Sequence, residues 1–161
     1  MQNFIEYCLP YKLTTKDQML RALSVLVPLA VGTFSIMYIG MLGIAICAVL
    51  CFLSYRWFLS FNYELEYTLV EDEVHFAKII NKERRKELFT ANIGKTISYG
   101  PIQKMPKGNM AVRSVVSNQG DLPEYFWQTM DAKGNKICIL FQPDAEMLDV
   151  FATRARGKMA Q

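Results

Sequence analysis

Residues 22–55 read ALSVLVPLAVGTFSIMYIGMLGIAICAVLCFLSY and contain no Asp, Glu, Lys, Arg or His. Every charged side chain of the 161-residue chain lies outside this stretch. An uncharged apolar run well above ~18 residues is the sequence mark of a segment that enters a bilayer. A cleaved signal sequence fits less well, because its apolar centre is only about 7–15 residues long and ends in a small-x-small site. A lipoprotein-type cleavage at Cys47 wants a small residue before it, and Ile46 stands there.

As one straight helix the run would be roughly 50 Å long at ~1.5 Å per residue. The hydrocarbon core is only about 30 Å thick, and tilt absorbs a few excess residues rather than a dozen. Two helices that borrow flanking residues fit better, at about 16–37 and 41–59, with a turn at Tyr38-Ile39-Gly40 where Gly40 can adopt positive φ. Thr15 with Gln18 suggests a capping box, and Asp17 suits the positive end of the helix dipole. Ser24, Pro28, Gly32 and Ser35 recur at helical spacing on the first helix, and Gly43, Cys47 and Cys51 on the second. Such small-residue stripes let two backbones approach closely where lipid supplies no hydrophobic drive. Pro28 is expected to kink the first helix. Cys47 and Cys51 could be imagined as a metal or redox pair, but no His or carboxylate stands at ligand spacing, so helix packing is the better reading. Cys8 and Cys138 are expected to stay reduced in a cytoplasmic domain.

Lys12, Lys16 and Arg21 flank the first helix and Arg56 closes the second, while the turn between them is uncharged. The positive-inside rule then puts both termini in the cytoplasm of a multi-pass plasma-membrane protein. No ionisable group lies in the core of either span, which leaves a proton relay or an ion path without a residue to carry it.

From Phe61 onward the period changes to two. Phe61, Tyr63, Leu65, Tyr67 and Leu69 alternate with Asn62, Glu64, Glu66 and Thr68, the pattern of a strand with one buried and one wet face. Further strands are expected at 74–80, 86–91, 110–116, 125–130 and 136–141, with another starting at 95–98. Turns fall at Glu71-Asp72-Glu73, at 81–85, at Pro106-Lys107-Gly108-Asn109 and at Asp131-Ala132-Lys133-Gly134-Asn135. A closing helix has Pro143 in its first turn and an apolar stripe of Met147, Leu148, Phe151 and Ala155. The division is an N-terminal cytoplasmic segment 1–15, a hairpin 16–60, a domain of six or seven antiparallel strands and one helix at 61–156, and a tail 157–161.

The segment Tyr67-Thr68-Leu69-Val70-Glu71-Asp72-Glu73-Val74, followed by Ile79-Ile80-Asn81-Lys82-Glu83-Arg84-Arg85-Lys86, resembles the opening of bacterial pleckstrin-homology-like (PH-like) domains. Phe141-Gln142-Pro143-Asp144 leading into a helix is similar to their ending. Over residues 16–155 the chain resembles a bacterial family of small two-span membrane proteins of unknown function that carry such a domain. The resemblance implies a membrane α-helical hairpin plus a mainly-β, partly open barrel of two orthogonal sheets with a C-terminal capping helix. It brings no catalytic residues and no cofactor.

The residues themselves offer no enzyme. His75 is the only histidine and sits beside Glu73 on a strand, where a surface side chain is the simpler reading than a general base. No Ser/His/Asp set, zinc-helix pattern or phosphate-binding glycine loop occurs, and residues 131–135 lack the alternating acids of a calcium loop. A net charge of +3 argues against nucleic acid. Tyr63, Tyr67, Phe76, Tyr125, Phe126 and Trp127 fall in strand patterns that suit a core better than a stacking platform.

The basic cluster Lys82, Arg84, Arg85 and Lys86 is the feature most suited to anionic headgroups, at about 1 kcal/mol per residue near a membrane surface. Phosphoinositide-binding members of the fold use basic residues on the first two strands and their joining turn, and here that turn is Glu71-Asp72-Glu73, which argues against a specific phosphoinositide site. Three functions follow in order of expectation: a membrane-tethered, non-enzymatic module binding a protein or peptide, an anionic-lipid sensor at the membrane surface, or an accessory subunit engaged through the hairpin.

Overall fold

The structure, a computed structural model, describes residues 4–106, 108, 110–131 and 134–160. Lys107, Asn109, Ala132 and Lys133, which belong to two of the expected turns, lie outside the described residues. The chain divides into two compact units, a helical hairpin with the turn at residues 80–84 and a two-sheet unit with a helix.

In the hairpin, α1 (Thr15–Ile39) and α2 (Met41–Ser60) are joined by Gly40 alone. Gly40 has φ +63°, which favours glycine, and its Cβ position is open to solvent or lipid. Both helices are long and apolar enough to cross a membrane. The capping box lies one residue earlier than the sequence suggests. Asp17 N donates to Thr14 Oγ1 at 3.2 Å and Thr14 N donates to the Asp17 carboxylate at 3.0 Å, so Thr14 and Asp17 replace Thr15 and Gln18. Pro28 stands inside α1, which continues through it.

The second unit begins with a strand where the sequence suggested only a plain leading segment. β1 (Phe4–Pro10) pairs antiparallel with β2 (Tyr63–Val70), from Phe4 opposite Val70 to Pro10 opposite Glu64. β3 (Glu73–Ile80) and β4 (Arg84–Asn92) complete a sheet of order β1-β2-β3-β4. After a 3-10 turn at Ile93–Lys95 come β5 (Ser98–Pro101), β6 (Ala111–Ser114), β7 (Tyr125–Met130) and β8 (Lys136–Phe141), in the order β5-β7-β8-β6. The segment at 95–98 is therefore mostly turn. β6 runs parallel to β8, so the domain is not purely antiparallel, and with β1 it has eight strands among the described residues. The two sheets do not close on each other. Beyond the last helix, Tyr99 N donates to Lys158 O at 3.1 Å and Ala160 N to Tyr99 O at 2.8 Å, which lays the chain along β5.

The helix α3 (Ala145–Arg154) starts at Asp144, whose carboxylate accepts from Met147 N at 2.9 Å, with Pro143 preceding the cap instead of lying in the first turn. It buries Met147, Val150 and Phe151, while Leu148 is only half-buried. Phe151 meets Trp127 edge-on, with ring centroids 4.9 Å apart, and lies 5.7 Å from Phe141. Phe76, Tyr67 and Phe141 extend this aromatic core, and Trp127 Nε1 donates to Thr96 Oγ1 at 2.8 Å. Such edge-to-face packing adds to the large apolar area each ring withdraws from water. The helix caps the core, as the resemblance implied.

Candidate functional site

The small residues of the hairpin meet each other. A Cβ on Gly32 would stand 2.6 Å from Cys47 Sγ, and one on Gly43 would collide with the Ser35 carbonyl and lie 2.6 Å from Ile36 N. Gly32, Ser35, Gly43 and Cys47 thus form the seam between α1 and α2. Ser24 is buried in the same seam, where its carbonyl accepts from the Ser54 hydroxyl. Cys51 is exposed and lies beside Pro28 in a shallow apolar pocket with Val25 and Phe58. Among the described residues no His, Cys, Asp and Glu side chains cluster as a metal site would need.

The basic cluster is split by the fold. Lys82 belongs to the β3–β4 turn, while Arg84, Arg85 and Lys86 open β4. Arg85 Nη2 donates to Glu66 Oε1 at 2.6 Å, and Thr68 Oγ1 donates to the same oxygen at 2.8 Å. Glu66 and Thr68 are on the face of β2 that the alternation marks as wet, yet they are 5% and 7% exposed. Arg85, reaching across from β4, compensates the carboxylate that is buried on this face. Arg85 is therefore committed within the domain and is not a free cation.

The acidic turn of the first hairpin is likewise engaged. Arg154 of α3 donates to the Glu71 carbonyl and to the Asp72 carboxylate, and Ile93 N donates to Asp72 O at 2.7 Å. His75 Nδ1 lies 3.0 Å from Thr90 Oγ1, a cross-strand hydrogen bond.

In the two-sheet unit two thiols, Cys8 and Cys138, and two phenols, Tyr67 and Tyr99, are pushed up from their ordinary values, Tyr99 by burial alone. Partial burial, and after it the carboxylates of Glu66, Glu6 and Glu64, push the Cys8 thiol up, with Arg85 opposing weakly. Burial raises the Cys138 thiol. The Tyr67 phenol is raised strongly, by burial first. Its hydroxyl donates to the Val115 carbonyl and accepts from Gln142 N at 3.4 Å. Gln142 Oε1 accepts from Ser117 N at 2.9 Å and from Ser117 Oγ at 2.6 Å, which fixes the loop after β6. A raised thiol is the unreactive form, the reverse of what a nucleophile needs.

A groove of about 420 Å³ lies between β1 and α3. Ile5 and Val150 form its apolar floor, Phe4 is 63% exposed at its mouth, and Glu146 and Asp149 line the helix side with Thr153. Among the described residues neither acid makes an ion pair, while Arg154, also in the lining, is held by Asp72. β1 is an edge strand, so the groove runs beside backbone groups that a further strand could pair. The sequence reading missed this site because it missed β1, although Ile5, Tyr7 and Leu9 alternate there with Glu6 and Cys8.

Two open sheets with a helix packed on their aromatic core, preceded by an apolar hairpin, define a PH-like module. The chain belongs to the family described as Bacterial PH-like domain (DUF6106), which it matches over residues 1–161. No curated protein and no solved structure matches it. PH-like domains are in general non-enzymatic, and the function of this family is unknown.

Proposed function

We propose that the protein is a non-enzymatic, membrane-tethered interaction module that takes an extended segment of a partner protein into the groove between β1 and α3. The hairpin crosses the plasma membrane twice with both termini cytoplasmic. Lys12, Lys16, Arg21 and Arg56 against an uncharged turn support that orientation. So does the pairing of β1, before the hairpin, with β2, after it, because strands that pair must lie on one side.

The observation that carries the binding reading is the groove's lining. A free strand edge supplies main-chain hydrogen bonds, Ile5, Val150 and Phe4 supply apolar contact, and Glu146 and Asp149 supply unpaired negative charge. The partner segment that complements this lining is extended, with an apolar anchor and Lys or Arg beside it. Because the hairpin tethers the module, a modest affinity suffices at the high local concentration of a shared membrane.

The test is photo-crosslinking in intact cells from a reactive group at Thr153 of the full chain. The expected adduct maps to a basic, apolar stretch of a protein, and it disappears in the Glu146→Lys, Asp149→Lys double variant. Adducts that survive charge reversal, or that contain only lipid, would sink the groove reading.

A further inference from the structure

A second cavity, of about 190 Å³, lies where the end of α2 meets the β3–β4 turn, within the hairpin unit. Arg56 lines it from the last turns of α2 and Arg84 from the start of β4. Asn81 and Glu83 contribute from the turn, and Leu59 and Ile80 are the apolar part of the wall.

The wall is well held. Asn81 N donates to Asn62 O at 2.8 Å and Glu83 N to Ile80 O at 3.2 Å. Asn81 and Lys82 have φ of +52° and +58°, the paired left-handed residues of a primed hairpin turn. At the helix end, Phe61 N and Asn62 N donate to Phe58 O and Leu59 O, and Ser60 Oγ donates to Trp57 O at 2.6 Å. These backbone groups are thus satisfied, and what remains to bind a ligand is side-chain chemistry: two guanidinium groups, one amide and one carboxylate.

Those charges do not neutralise one another. Among the described residues Arg56, Arg84 and Glu83 make no ion pair, although all three line the same cavity. Two planar donors lining one cavity, with one acceptor in the same wall, match a phosphate bearing a polar substituent. The volume lies below the range of about 300–1,000 Å³ typical of pockets that enclose a whole organic ligand, which suits a headgroup instead of an entire lipid.

We propose that this cavity binds the phosphodiester headgroup of a membrane phospholipid. Arg56 and Arg84 grip the phosphate oxygens, Asn81 donates beside them, and Glu83 accepts from the ammonium or hydroxyl at the headgroup's end. The position agrees, because the last turn of a helix of membrane-crossing length ends at headgroup depth, and Tyr55 and Trp57 on the preceding turn are typical of that layer. Glu83 also sets a preference. A doubly charged phosphomonoester meets its carboxylate more unfavourably than a singly charged diester does. This is a site with a defined lining, unlike the diffuse attraction expected from Lys82, Arg84, Arg85 and Lys86 as one basic cluster.

The inference rests on the hairpin spanning a membrane, and that premise has its own measurement. Extraction of the full chain from cell membranes by alkaline carbonate without detergent would remove the premise, whatever the cavity does. The site is tested by native mass spectrometry of the full chain, delipidated in mild detergent and titrated with phosphatidylglycerol, phosphatidylethanolamine and phosphatidate. The wild type is expected to take up one diester lipid, and Arg56→Gln with Arg84→Gln to weaken it about tenfold or more. The matched pair Lys82→Gln with Lys86→Gln removes the same charge and is expected to change it less than about twofold. Glu83→Gln is expected to raise phosphatidate uptake. Equal losses in both pairs would reduce the site to diffuse attraction and overturn the proposal. Displacement of the lipid by millimolar inorganic phosphate would overturn the lipid assignment in favour of a soluble phosphate compound.

Discussion

The hairpin and the two-sheet unit are built on opposite terms. In the hairpin the large apolar side chains point outward: Leu26, Phe34, Leu42 and Phe52 are all exposed, and its inside is a seam of Gly32, Ser35, Gly43 and Cys47. In the two-sheet unit the large side chains are inside. Tyr67, Phe76, Trp127, Phe141 and Phe151 are fully buried, and the polar atoms among them are paired. The first arrangement is stable only where the surroundings are as apolar as the surface, and there close backbone contact replaces the hydrophobic drive. The second withdraws apolar area from water. One chain therefore depends on small residues in one half and on aromatic ones in the other, and the same kind of substitution has opposite consequences in each.

The largest expected effect comes from removing β1. A fragment of residues 62–161 lacks the strand that covers β2 and loses the buried side chains of Ile5 and Leu9. At ~1.5–3 kcal/mol for each large aliphatic residue, the loss is about 3–6 kcal/mol, a large share of a small domain's stability. The fragment should unfold at clearly lower denaturant than the domain within the full chain, and a peptide of residues 1–11 added in trans should restore part of the difference. Equal midpoints without the peptide would show that β1 contributes nothing to the core.

In the hairpin the harmful change is enlargement. Gly43→Leu drives a side chain into the Ser35 backbone, and overpacking of this kind costs about 1–3 kcal/mol. The measurement is a cross-link. Gly32→Cys places a new Cβ 3.3 Å from Cys47 Cβ, near the ~3.5–4.5 Å that a disulfide needs. With Cys8 and Cys51 changed to Ser, mild oxidation should form the Cys47 bond rapidly, and adding Gly43→Leu should slow it strongly. Unchanged oxidation would mean that the seam is not close-packed.

The smallest effect is a test of the buried polar network. Tyr67→Phe removes a hydroxyl with two partners and should cost about 1 kcal/mol at neutral pH. It also removes a pH dependence whose sign is fixed. Folding raises the Tyr67 phenol above its ordinary value of 10.0, so below that pH both states hold the proton and the stabilisation is complete. Above it the unfolded chain ionises first, and stability falls by up to about 1.4 kcal/mol per pH unit. Denaturation of the full chain between pH 9 and 11 should show this extra fall in the wild type and a shallower one in Tyr67→Phe. Parallel curves would mean that the phenol is not protected.

What the sequence made legible follows from range. The hairpin is a local pattern in which composition fixes both helices, and the single-residue offset at Thr14 concerns only which hydroxyl reaches Asp17 N. The strands from β2 to β4 and the β7–β8 pair are local too, since alternation and turn residues announce them. β1 and the parallel β6–β8 pairing are not local. Phe4 finds Val70, and Ala111 finds Ile137, through contacts that no short window contains. The groove was invisible for that reason. Arg85 has a non-local partner for a related reason: along the chain it is one of four cations, while across the sheet it is the counter-charge of Glu66.

The place of β1 also makes one strand ladder depend on how the hairpin between its two strands is threaded. β1 leaves the ribosome before β2 and waits unpaired while the hairpin between them is synthesised, for several seconds at ~5–20 residues per second. If the apolar segment enters the membrane with an odd number of crossings, the two strands end on opposite sides and the β1–β2 ladder cannot form. A chain in which that ladder does not form has two unpaired strand edges, a surface open to non-native strand pairing.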